Sequence, residues 1–375
     1  LRLCLGAFRT SPAMSLCVEA NEPPLSLRRR KLSSQYIFRL SGCKTNPARG
    51  CVFNLKTKRQ FLKKPTQTAP LGMRMLDDLH QIGFTLKNCL LHTTSTVAPW
   101  MLCRPRINLD LLSFDKNNSA PEILKSLFAY IRCDLGDHVE IYTDGSKVGE
   151  AVGCAAICDG RVKSVRLPSQ CNIFTAELHA IRLAFEVIQR SNKPSFVIYS
   201  DSLSSLQAIQ HFQIDNKIIL DILKVYTQLV HNRKRIVLCW VPSHVGIAGN
   251  EKADVAAKAS LSSAVSTDFK IPVKNFYPHA NKLYMNEWQQ IWDSQPNNKL
   301  YCINPTVGNV SRHTGLNRRE QTIITRLRIG HTRLTHSYLL SKDSQPECAA
   351  CKCQLTVKHL LLECSDLTNT RQKHF

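Results

Sequence analysis

Val139-Glu140-Ile141-Tyr142-Thr143-Asp144-Gly145-Ser146 opens the stretch that decides the fold. Residues 139–143 read as a strand, ended by the turn former Gly145. Short strands follow at 151–158 and 161–167, with the hairpin signal Asp159-Gly160 between them. Phe174, Leu178, Ile181, Phe185 and Ile188 then recur at helical spacing. Phe196-Val197-Ile198-Tyr199 is an apolar run short enough for a buried strand. Ser202 is placed to cap a helix through Leu203, Leu206 and Ile209, and a further helix spans 216–230. A strand at 236–240 and a helix carrying Ala253, Ala256 and Ala257 complete the series. Three strands, helix, strand, two helices, strand, helix predict an α/β fold with a mixed five-stranded sheet flanked by helices.

Four acids occupy informative places in that order. Asp144 and Asp201 each end an apolar strand and precede small residues. If those strands are parallel neighbours, both carboxylates project at the C-terminal sheet edge, where open α/β sheets bind ligands. Glu177 reads as lying in the first turn of its helix, beside apolar Leu178, and Asp254 lies early in the last helix. Any one of them alone is an ordinary turn or cap residue. Four together would repel one another and be costly to desolvate. Hard cations relieve that cost, and Mg²⁺ suits an all-oxygen site. Two ions roughly 4 Å apart would clamp an in-line displacement at phosphorus.

Thr143-Asp144-Gly145-Ser146, Thr175-Ala176-Glu177-Leu178, Tyr199-Ser200-Asp201-Ser202 and Gly249-Asn250-Glu251-Lys252-Ala253-Asp254 resemble, in order, the four motifs of ribonuclease H. The resemblance covers about a third of the chain. It implies metal-dependent hydrolysis of the RNA strand of RNA–DNA hybrids. Asp144, Glu177, Asp201 and Asp254 would hold two Mg²⁺ or Mn²⁺ ions, and His244 would match a mobile-loop histidine that shuttles protons near the leaving group. Ser146, Asn172 and Gln207 are polar residues close to these motifs and are expected to contact substrate. Met75-Leu76-Asp77-Asp78 lacks the aromatic of a polymerase turn and sits in a helical pattern, so Asp77 and Asp78 read as surface residues.

Charge agrees with a polyanionic partner. Lys plus Arg number 50 against 28 Asp plus Glu, a formal net charge of +22. The surplus is uneven, with 14 basic and 2 acidic residues over 1–70 but 14 and 11 over 138–261. Basic flanks would hold the substrate while a local stock of acids holds cations. Arg28-Arg29-Arg30-Lys31 and the run at 56–64 read equally well as solvated faces or linkers and as surfaces for a polyanion. The 16 cysteines lack regular spacing except near the C-terminus, as in a reduced, intracellular chain, nuclear or cytoplasmic. No apolar run suits a membrane span or a secretory signal, and the absence of an initial Met leaves two readings, a piece of a longer product or an incomplete start.

Near the C-terminus, Cys348-x2-Cys351-x7-His359-x4-Cys364 has the spacing of a structural Zn²⁺ site, with Cys353 as a spare thiol. Arg326, Arg328, His331 and Arg333 upstream complete the look of a nucleic-acid-binding knuckle. Gly6-Ala7-Phe8-Arg9-Thr10-Ser11-Pro12, residues 22–29, and 327–336 with the zinc pattern resemble segments after the polymerase in Jockey- or I-like non-LTR retrotransposon proteins. Four regions are therefore expected: a basic region at 1–137, a ribonuclease H domain at 138–262, a helical connection at 263–320 and a knuckle-like segment at 321–375. Two other readings stay open at this stage, an inactive nucleic-acid-binding remnant and a transposase or integrase acting on duplex DNA. The latter enzymes ordinarily use three acids and lack a His244-type loop.

Overall fold

Burial along the central strands is nearly continuous, which is the signature of a sheet covered on both faces. The computed structural model describes residues 1–53, 61, 63, 66–91, 97–116, 118–214, 216–309 and 315–374. Strand β1 (Arg106–Asn108) and helix α1 (Pro121–Asp134) come first. Then follow β2 (Val139–Val148), β3 (Ala151–Cys158), β4 (Arg161–Leu167), α2 (Ile173–Arg190) and β5 (Ser195–Ser200). The series ends with α3 (Leu203–Gln210), α4 (Lys217–His231), β6 (Arg235–Trp240) and α5 (Ala248–Ser260). The sheet has six strands in the order β1-β6-β5-β2-β3-β4. The pairs β1–β6, β6–β5 and β5–β2 are parallel, while β2–β3 and β3–β4 are antiparallel.

The mixed α/β fold is the expected one, with three departures inside it. A sixth strand, β1, comes from the basic flank at 1–137; its three residues carry too short a pattern to be seen in sequence. Strand β2 does not end at Gly145 but runs to Val148, because its ladder with β3 continues to the Val148–Ala151 pair. Ser202 stands at the N-cap of α3 without capping it; its hydroxyl donates to Ser205 Oγ at 2.9 Å. The Asp159-Gly160 turn forms as read, both residues taking positive φ of 49° and 74°. Asn172 caps α2, its side-chain oxygen accepting from the Thr175 amide at 2.9 Å.

One face of the sheet buries Tyr142, Val197 and Tyr199 under Leu124, Phe128 and Ile131 of α1 and Ala253 of α5. Phe128 meets Tyr199 edge-on at 5.1 Å, and Tyr142 stacks on Tyr199 at 4.9 Å. The other face carries α2, whose residues from Thr175 to Ile188 are largely buried. Helix α1 belongs to this core although it precedes the motif-bearing region.

The chain folds as two compact units, Gln35–His279 and Leu1–Ser34 with Ala280–Phe375. In the first, Asp77 is exposed but Asp78 is 4% exposed, contrary to the surface reading of both. The helix Leu76–Gln81 turns Asp78 inward with Met75, Leu79 and Ile82, and its first-turn place suits a carboxylate. In the second unit two residues of the 28–31 run are engaged in ion pairs. Arg28 pairs with Glu22, and Arg30 grips Glu287 through two bonds, at 2.5 and 2.9 Å. Trp288 and Trp292 are buried packing residues. Arg326 donates to the Gly6 carbonyl and Arg328 to Glu19, so these two arginines join the chain's two ends rather than standing free. The charge run at 56–64 falls, apart from Phe61 and Lys63, outside the described residues. No helix among the described residues is long and apolar enough to cross a membrane.

Candidate active site

Parallel pairing between β2 and β5 stops at Thr143–Ser200, and the next residues in this register are Asp144 and Asp201. Beyond that point β2 continues beside β3 only, which leaves an edge where both acids stand. Thr143 Oγ1 donates to the Tyr199 carbonyl at 3.1 Å and ties the two strands together just before it. Helix α2 reaches the same place because Gly145 has no side chain. A Cβ there would lie 2.8 Å from the Glu177 amide nitrogen and 3.0 Å from the Ala176 carbonyl carbon. Glu177 is in the second turn of α2 rather than the first, since the helix already begins at Ile173.

Asp144, Glu177 and Asp201 each offer a carboxylate oxygen, and these lie within 4.8 Å of one another. Asp144 is 5% and Glu177 8% exposed. Burial raises the Asp144 carboxyl to about 7, with Asp201 and Asp254 adding repulsion. Glu177 is raised well above its ordinary value, first by burial and then by Asp144 and Asp201. Burial also raises Asp201, against the lowering influence of Asn250 and His244. Asp144 Oδ2 and Glu177 Oε2 are buried without a hydrogen-bond partner among the described residues. Two orphaned acceptors beside a third carboxylate are the donor set that a hard cation satisfies, so these residues fit the expected divalent metal.

Asp254 departs from the expected foursome. Its Oδ2 accepts from Lys258 Nζ at 2.7 Å, one helical turn on, and it groups with His244 and Glu251. The ligand atoms of that second trio also lie within 4.8 Å of one another. Asp254 still adds to the field that raises Asp144. His244 is exposed and takes φ +54°. Glu251 Oε1 accepts from the Gly246 amide at 3.3 Å, bracing the loop that carries His244.

Two supporting residues escaped the sequence reading. Asn250 Nδ2 donates to Asp201 Oδ2 at 3.3 Å, and Trp240 Nε1 donates to the Asp201 carbonyl at 3.1 Å. Asn250 could have been found from its place within the fourth motif; Trp240, at a strand end, carries no such signal. Of the expected polar contacts, Ser146 is buried on β2, Gln207 is exposed on α3, and Asn172 serves as the cap already described.

Ligand atoms of Cys348, Cys351, His359 and Cys364 also lie within 4.8 Å of one another. Cys348 Sγ and Cys364 Sγ are 3.8 Å apart, and Cys351 Sγ and Cys364 Sγ 4.0 Å. Zn–S bonds of about 2.3 Å at tetrahedral angles require sulfurs about 3.8 Å apart. The four residues therefore fit Zn²⁺. Cys353 stands outside that group, its Sγ 3.4 Å from His359 Nδ1. The 16 cysteines are free thiols.

Residues 136–262 match the protein-family profile described as RNase H. Over 123 residues the chain is 31% identical to the Gag-Pol polyprotein of bovine immunodeficiency virus (strain R29), a stretch covering 32% of this chain and 8% of that protein. The chain thus spans less than a tenth of that relative's length. The profile-matched residues 136–262 contain all four motif acids and His244, and over that stretch the chain is similar to RNase H domains.

Proposed function

We propose that this domain cuts the RNA strand of RNA–DNA hybrids with the help of divalent cations, leaving 5′-phosphate and 3′-hydroxyl ends. One observation carries the reading: three carboxylates from two strand ends and one helix share a buried edge within 4.8 Å, two of them with orphaned oxygens. Asp144, Glu177 and Asp201 would hold Mg²⁺ or Mn²⁺, with Asp254 at the rim. Bound there, two such ions would supply Lewis acidity toward the attacking water and the leaving oxygen. The protein's own share is to exclude competing solvent from Asp144 and Glu177, to keep Asp201 oriented through Asn250 and Trp240, and to present His244. That imidazole, exposed and grouped with Asp254 and Glu251, would give a proton to the departing 3′ oxygen.

Cys348, Cys351, His359 and Cys364 would bind Zn²⁺ in a structural role, fastening a segment too small to hold itself by apolar burial. The net charge of +22 favours nucleic acid as partner. By its flanking resemblances the chain would belong to the rear part of a Jockey- or I-like retrotransposon polyprotein, where it would clear template RNA. The test is cleavage of a labelled RNA–DNA hybrid by the purified chain across a Mg²⁺ titration, beside Asp201→Asn. Metal-dependent cutting by the unaltered chain and loss to background in the variant are expected. Retained cutting in Asp201→Asn, binding without cutting, or cleavage of duplex DNA in place of hybrid would each overturn the proposal.

A further inference from the structure

The RNase H match begins at residue 136, yet the loop bearing His244 is held by side chains that precede it. Lys116 Nζ donates to Ser243 Oγ at 3.2 Å, on one side of the histidine. On the other side Gly246 takes φ +81°, and a Cβ built there would lie 2.5 Å from Lys125 Cε and 2.6 Å from Lys125 Nζ. The lysine tail thus lies against bare loop backbone. Val245 and Ile247 are buried in the cluster that contains Leu124 and Phe128 of α1. His244 itself is exposed and sits at positive φ, a conformation uncommon for residues with a Cβ. Clamped neighbours around a free imidazole are an arrangement that aims a side chain.

We infer that Lys116 and Lys125 are positioning residues of the nuclease: they fix the loop at 243–246 so that His244 is presented beside Asp254. The inference rests on the catalytic reading of His244 above. It extends the working unit upstream of the family match, to α1 and the lysine before it. Neither lysine needs to touch substrate for this role.

The experiment uses the full chain in four forms: unaltered, Lys116→Ala/Lys125→Ala, His244→Ala, and all three substitutions together. Hybrid cleavage is measured at saturating Mg²⁺, and amide hydrogen exchange is followed over 241–248. In the double variant kcat is expected to fall about tenfold or more with KM little changed, while loop amides exchange faster and those of α2 do not. In the His244→Ala background the lysine substitutions should cost no further activity, because the residue they aim is gone. An equal loss in both backgrounds, or a raised KM at constant kcat, would mean that the lysines bind substrate phosphate and would overturn the inference. Unchanged exchange at 243–247 would overturn it whatever the activity. An unaltered chain that cuts no hybrid would count against the proposed function instead, with the exchange data still deciding the anchoring.

Discussion

Replacing Asp144 by asparagine is expected to make the metal-free protein more stable while abolishing hybrid cleavage. The carboxyl is raised from an ordinary 3.8 to about 7, chiefly by burial and then by Asp201 and Asp254. Because the folded-state value lies above the unfolded one, the folded protein holds this proton more tightly. The resulting stability is whole at acidity below the unfolded value and is lost as pH rises through about 7. At 1.36 kcal/mol per tenfold, the raised value corresponds to about 4 kcal/mol of strain in the ionised state. Local relaxation and denatured-state structure reduce this to ~2–4 kcal/mol. Asparagine keeps the shape and cannot ionise. In magnesium-free buffer at pH 8, thermal unfolding of Asp144→Asn should therefore come roughly 5–15 °C above that of the unaltered chain. The two should converge near pH 4. Added Mg²⁺ should raise the unaltered chain and leave the variant nearly unmoved, since ligands stabilise the state that binds them. A variant less stable than the unaltered chain at pH 8, or a gap that does not change between pH 4 and pH 8, would refute the electrostatic reasoning.

Two further outcomes follow from the packing and the thiols. Gly145→Ala puts a Cβ 2.8 Å from the Glu177 amide; it should cost about 1–3 kcal/mol in denaturant unfolding and lower hybrid cleavage more than a surface change of equal stability cost. Cys364→Ser should abolish stoichiometric Zn²⁺ in elemental analysis and expose the segment 345–374 to protease. A variant with full zinc content would remove Cys364 from the ligand set.

The order of strands and helices over 139–260 was legible because each element carries a clear period, and two apolar runs could be seen to end on acids, Asp144 and Asp201, whose side-by-side pairing the sheet register then supplied. Turn chemistry was legible where it is local, as at Asp159-Gly160. It misled where tertiary packing decides: Gly145 looks like a strand end, but its missing side chain lets α2 approach while the β3 ladder runs on. Asp78 was hidden for a similar reason, since only helix phasing against a core tells an inward acid from an outward one. The arginines of 326–328 looked free for nucleic acid because their partners, Gly6 and Glu19, lie some 300 residues away in sequence.

What the chain's order of residues determined by itself was the chemistry, four acids, a loop histidine and a Cys/His set, because side-chain type and local period need no knowledge of distant contacts. What only the tertiary structure decided was grouping. It set three acids at one buried edge and Asp254 beside His244, and it brought α1 and β1 into the sheet unit from outside the motifs. Desolvation and close approach are sums over neighbours from every part of the chain, and no window of sequence contains them.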